Sequence, residues 1–90
     1  MTGQALLDEL LRLALTRGYA IRRESMSRGV GAGGFAVLRG TPTVFVDERA
    51  SVDAQIEVLS TVLRRLDWSS TYVSPAVRAM LGSRETNAAA

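Results

Sequence analysis

The sequence SVDAQIEVLSTVLRRLD, at residues 51–67, decides the fold. Its apolar residues recur at helical spacing and form one broad face: Val52, Ile56, Leu59, Val62, Leu63 and Leu66. Ser51 can accept a backbone N–H at the start, and Arg64 and Arg65 place positive charge at the end, where it suits the helix dipole. The pattern predicts a helix along this stretch that buries one face in the core.

The composition excludes several kinds of chemistry. The chain has no His and no Cys, which removes disulfides, thiolate nucleophiles, imidazole acid–base catalysis and zinc sites built from nitrogen and sulfur. All 11 basic residues are Arg, and with the abundant Ala, Val, Leu and Gly this is typical of a GC-rich bacterial genome. We therefore predict no metal, no cofactor and no enzymatic activity.

The 90 residues are predicted to form one domain at residues 1–82. Residues 83–90 carry no pattern and end in three alanines, so we expect a disordered tail or a cloning remnant. No apolar run is long enough to span a membrane, and the N-terminus lacks the features of a signal peptide. The expected location is cytoplasmic, without a membrane partner.

Residues 2–17 form the first predicted helix, with Gly18 as its terminator. Its apolar stripe is wide, with Leu15 just outside it: Leu6, Leu7, Leu10, Leu11, Leu13 and Ala14. Its solvent side is expected to carry Asp8, Glu9 and Arg12. A face this wide indicates either a core helix between two surfaces or a homodimer contact, and both interpretations stay open.

Three strands are predicted, at residues 19–26, 35–39 and 43–47. Arg23 falls on the inward face of the first strand, which indicates an edge strand or a strand end. Gly40 and Thr41 suit a two-residue hairpin turn between the other two. Both sheet faces are partly apolar, so we expect helices on either side or a second subunit to cover them.

A third helix is predicted from Ser74 as N-cap and Pro75 at the first position to Gly82 as stop. The element order is α-β-β-β-α-α. This order predicts an α+β fold with a small three-stranded antiparallel sheet, in which a meander is the default strand order and the Gly-rich loop permits others.

The segments GGFAVLRG (33–40) and VFVD (44–47), followed by a helix with Gln55 four residues before Leu59, resemble a known family. They resemble the strand–strand–helix start of the metallopeptidases related to ImmA and IrrE, over residues 33–66. In that family the helix carries His-Glu-x-x-His, whose histidines bind zinc and whose Glu activates water. The resemblance places Thr61 and Arg65 at the histidines and Val62 at the Glu, so it implies a catalytically inactive, degenerate relative.

The Gly-rich loop at residues 27–34 fits G-x-G-x-x-G at Gly29, Gly31 and Gly34. A dinucleotide site needs a helix after these glycines, whereas a strand follows here, so a flexible hairpin loop is favoured. Four arginines near this loop could contact a nucleic acid or another polyanion, although solvated charge explains them more simply: Arg22, Arg23, Arg28 and Arg39. Carboxylates at the junction of the third strand and the central helix could bind a metal ion, but capping and solvation explain them better: Asp47, Glu48, Asp53 and Glu57.

The predicted function is that of a small non-catalytic protein that acts through protein–protein contacts, as a homodimer or with another protein. The alternative is a nucleic-acid or polyanion module that uses the four arginines. Residues predicted for the protein interface come from the first helix and from the turn after the central helix: Leu7, Leu11, Leu15, Trp68 and Tyr72.

Overall fold

The computed structural model describes residues 2–25 and 33–82. The predicted strand end at Met26, most of the Gly-rich loop including Arg28, and the predicted tail at 83–90 lie outside the described residues. The α+β class and the order α-β-β-β-α-α are confirmed. The elements are α1 (Gly3–Thr16), β1 (Ala20–Glu24), β2 (Gly33–Leu38), β3 (Thr41–Asp47), α2 (Val52–Leu63) and α3 (Pro75–Leu81).

The predicted helix caps at Ser51 and Ser74 are present. The Ser51 hydroxyl accepts the N–H of Ala54 at 3.1 Å, and the Ser74 hydroxyl accepts that of Val77 at 3.3 Å. The helix α2 ends at Leu63, four residues short of the predicted end. Its last carbonyl is engaged by the indole Nε1–H of Trp68 at 2.7 Å, which holds the chain in turns instead of a further helical turn.

The strand order is β1-β3-β2, and β1 runs parallel to β3 while β2 runs antiparallel to it. The prediction of a purely antiparallel meander was therefore wrong for β1. The physical reason lies in β3, whose Val44 and Val46 are fully buried, because the middle of the sheet is the position that removes most apolar surface from water. The polar strand β1 takes an edge, as Arg23 predicted.

The hairpin between β2 and β3 turns at Arg39 and Gly40, one residue before the predicted Gly40-Thr41 turn. Leu38 pairs with Thr41, and Arg39 and Gly40 have φ angles of 51° and 82°. Positive φ at both central residues is the type I′ geometry, whose twist matches that of the flanking strands. The turn accepts Arg at a left-handed position because the strand pairing on both sides fixes it.

The helices α1 and α2 pack side by side over the sheet face that carries Val44 and Val46, and α3 packs against both helices. Within the described residues no helix covers the opposite face, which carries Arg22, Leu38 and Phe45. Of the two covers expected for this face, helices are therefore absent among the described residues, and a second subunit stays a prediction. The described residues form two layers, with the core between them.

The prediction that Glu9 faces solvent was wrong. Its side chain is buried, with 7% of the residue exposed, and its Oε2 accepts the backbone N–H of Ser74 at 2.8 Å. This bond ties α1 to the N-cap of α3. A buried carboxylate is tolerated there because a backbone donor and the positive end of a helix dipole face it.

Candidate contact surface along strand β2

The residues predicted for a protein interface divide into core and surface. Leu7 and Trp68 are buried, which places them in the core, and Leu11 is half-buried against it. Trp68 is held by the Leu63 carbonyl and by Arg17, whose guanidinium carbon lies 4.0 Å from its ring centroid. Leu15 and Tyr72 are exposed, by 59% and 86%. The predicted α1 surface thus reduces to Leu15, with charged Arg12 and Asp8 exposed on the same helix.

The strand β2 carries the densest exposed apolar surface of the described residues. Phe35, Val37 and Leu38 are exposed by 42%, 60% and 40%, and they are three of the five exposed large hydrophobic residues within the described ranges. The register places Phe35 and Val37 on the helix-covered face and Leu38 on the opposite face. The apolar side chains therefore flank the outer edge of β2 on both sides.

The two edges of the sheet differ in how strongly they oppose the addition of another strand. The edge strand β1 exposes Arg22, Arg23 and Glu24, and Arg22 and Glu24 form an ion pair at 3.0 Å. Charged side chains of this kind oppose the addition of another strand. The edge strand β2 has the sequence GGFAVL without a charge, and within residues 2–25 and 33–82 its outer edge pairs with no strand. It is the edge that a further strand can join.

Gly33 fixes the start of β2 against the central strand. Its φ is 152°, and a Cβ at this position would collide with the carbonyl group of Phe45. Gly34 has open space around its Cα, so the two neighbouring glycines have different roles. The close approach at Gly33 sets β2 beside β3 and leaves the following side chains at the open edge.

A groove of about 510 Å³ lies between β2 and α2. Its aromatic wall is formed by Tyr19 and Phe35, whose ring centroids are 5.9 Å apart. Glu57, Thr61 and Arg65 line it from α2 at intervals of four residues, so they form one row along the helix. The groove is apolar at the strand, with one charge of each sign at the two ends of the helical row.

The residues that the metallopeptidase resemblance singled out lie at this groove. Thr61 and Arg65 are exposed to it, whereas Val62 also lines it and packs into the core. The Thr61 hydroxyl donates to Glu57 Oε2 at 3.5 Å, a long contact. Among the described residues no group of three or more His, Cys, Asp or Glu could hold a metal ion.

Among the other predicted site residues, Asp47 has a local partner and the three described arginines do not converge. Asp47 Oδ1 accepts the N–H of Arg49 at 2.9 Å, which closes the turn before α2. Arg22 and Arg23 point to opposite faces of β1, because they are adjacent in a strand. Arg39 lies in the hairpin, roughly four strand residues, or about 13 Å, farther along the sheet. The structure does not bring these three arginines into one patch.

The sequence did not predict the groove or the open edge of β2. A meander places β2 in the middle, where Phe35 and Val37 would be core. The signal that could have reversed the order is the denser apolar run Val44-Phe45-Val46 in β3, against the paired glycines that begin β2.

No protein-family model matches the sequence, and the searches of curated proteins and of solved structures also gave no significant match. In the part of the chain that the structure describes, none of the helices combines the length and the apolar character needed to cross a bilayer.

Proposed function

We propose that this chain is a non-catalytic, self-associating contact domain of the bacterial cytoplasm, and that it associates through β2. The observation that carries the proposal is the uncharged edge strand with Phe35, Val37 and Leu38 exposed on its two faces. An exposed apolar edge offers both hydrogen-bonding groups and apolar surface to a partner.

The free energies of burial and of association indicate that a stable contact must involve more than these three side chains. Full burial of a Val, Leu or Phe side chain contributes about 1.5–3 kcal/mol, so covering the exposed half of three such residues gives roughly 2–4 kcal/mol per copy. Association costs on the order of 4–15 kcal/mol in lost freedom of motion. A stable contact therefore needs both copies to contribute and needs the groove beside β2 to be filled as well.

The residues of the groove support a role without catalysis. Its chemically active side chains are Tyr19, Glu57, Thr61 and Arg65, a set that lacks an imidazole or thiol to activate a nucleophile or hold zinc. The same proposal includes descent from the ImmA- and IrrE-related metallopeptidases with loss of their zinc motif. It is supported by the hairpin-then-helix order and by the position of Thr61 and Arg65 at a groove.

Sedimentation velocity over a wide concentration range tests the proposal. We expect reversible association of the wild-type chain and its loss in Val37→Lys, because a charge at an exposed edge position opposes strand addition. The matched control is Leu15→Lys, an equally exposed apolar residue on α1, which should associate as the wild type does. A wild-type chain that stays monomeric, or association that Leu15→Lys abolishes and Val37→Lys leaves intact, would overturn the proposal.

A further inference from the structure

We infer that the occupant of the β2 edge is the β2 strand of a second copy, paired antiparallel across a two-fold axis at Ala36. The two three-stranded sheets then form one six-stranded sheet with the helices of both copies on the same side. This inference rests on the proposed self-association and specifies its geometry. Closed two-fold pairs are the commonest form of homo-oligomer, and a β2–β2 pair is self-complementary by construction.

The side chains of β2 select the register. Residues opposite each other in an antiparallel pair point to the same face, so with all helices on one side the numbers of paired residues add to an even total. An axis at Ala36 puts Phe35 opposite Val37 of the second copy and Gly34 opposite its Leu38. The first is an aromatic–β-branched pair on the helix side, and the second places a large residue against glycine on the other face.

The two neighbouring registers pair the side chains of β2 less favourably. An axis at Phe35 moves Leu38 past the start of β2 in the second copy, which leaves one of the three exposed apolar side chains without a strand partner. An axis at Val37 places Phe35 opposite Arg39, a charged turn residue with positive φ. The register centred on Ala36 keeps residues 34–38 of both copies within the paired strands.

The row on α2 has the charge order that this symmetry requires. Glu57, Thr61 and Arg65 line the groove beside β2, and α2 packs on both β2 and β3. A two-fold axis reverses the direction of the row in the second copy, so the Glu57 end of each row is directed toward the Arg65 end of the other. The charge order of the row is thus compatible with the two-fold pairing that the apolar residues of β2 select.

Charge reversal tests this arrangement. Glu57→Arg and Arg65→Glu each place like charges opposite one another at both ends of the symmetric pair, and we expect each to raise the dimer dissociation constant by about tenfold. The double variant restores opposite charges in exchanged positions and should return to within about threefold of the wild type. The matched control is Glu48→Arg, an exposed reversal in the turn before α2, which should leave the constant unchanged.

A cross-link tests the register independently. Because the chain has no Cys, Ala36→Cys introduces a single thiol, and two such residues facing each other across the axis have Cβ atoms about 5 Å apart. We expect rapid disulfide-linked dimers under a mild added oxidant, against slow linkage for the control Leu15→Cys. If the wild type dimerises and Val37→Lys prevents it, but the double reversal gives no rescue and Ala36→Cys links no faster than Leu15→Cys, this geometry is wrong and the proposed function stands. If the wild type does not associate, both fail.

Discussion

The Oε2 atom of Glu9 lies 2.8 Å from the backbone nitrogen of Ser74, and this bond joins the middle of α1 to the N-cap of α3. It spans 65 positions of the chain, and its carboxylate is buried. Two consequences follow: α3 depends on α1 for its position, and a residue that resembles a surface charge contributes to the core.

Glu9→Ala should lower the free energy of unfolding by about 1–3 kcal/mol, because it leaves the N–H of the half-buried Ser74 without its acceptor. Glu9→Gln keeps an acceptor oxygen and should cost less. Urea unfolding at low protein concentration measures both. Asp8→Ala is the control, since Asp8 is exposed and should change stability by less than about 0.5 kcal/mol. Equal effects at the two positions would contradict the structural role of Glu9.

Gly33→Ala and Gly34→Ala form a matched pair one residue apart. A Cβ at Gly33 would meet the Phe45 carbonyl, whereas Gly34 has open space. We expect Gly33→Ala to destabilise the chain by at least about 2 kcal/mol, from backbone strain and displacement of β2, and Gly34→Ala to stay within about 0.5 kcal/mol. Thermal unfolding of the monomer gives the comparison, and similar melting temperatures for the two variants would rule out this close packing.

Trp68→Phe tests the assignment of Trp68 to the core. The change removes the bond to the Leu63 carbonyl and part of the surface stacked under Arg17, and should cost about 1–3 kcal/mol of stability. Tyr72→Ala, at a residue 86% exposed, should have almost no effect on stability. Association of the folded variant should match the wild type; weaker association at unchanged stability would instead make Trp68 an interface residue.

Purified wild-type protein should contain no stoichiometric zinc, because Thr61 and Arg65 stand where the metallopeptidase resemblance puts histidines. A variant with Thr61→His and Arg65→His is the positive control. It places two imidazoles one helical turn apart at the groove and should bind added Zn²⁺. Metal analysis after repurification provides the measurement. Zinc retained by the wild type would defeat the prediction of a metal-free domain.

Local signals in the sequence were sufficient to predict the presence of the helices and the caps at which α2 and α3 begin. The caps at Ser51 and Ser74 and the periodicity of α2 each depend on residues within one or two turns, so the sequence predicts them well. The end of α2 was misplaced because it depends on Trp68 turning back to Leu63. That bond is made by the tertiary fold and leaves no periodic signature.

Contacts between segments that are distant in the chain could not be predicted from the sequence. A meander and the observed order contain the same strands with the same alternation, so Phe35 and Val37 read equally well as core residues or as an edge. The burial of Glu9 likewise depends on where α3 docks. The candidate surface was missed for this reason, since its exposure is a property of strand order.

The parallel pairing of β1 with β3 also sets the order in which the sheet can assemble. The hairpin of β2 and β3 closes over two turn residues, Arg39 and Gly40, whereas Ala20 must find Thr43 more than twenty positions away. Closing the longer loop costs more chain entropy, so the hairpin is the natural nucleus and the N-terminal segment docks onto its other side afterwards. During synthesis β1 therefore leaves the ribosome before β3, and the charged side chains of Arg22, Arg23 and Glu24 disfavour pairing of β1 with a strand of another chain in that interval.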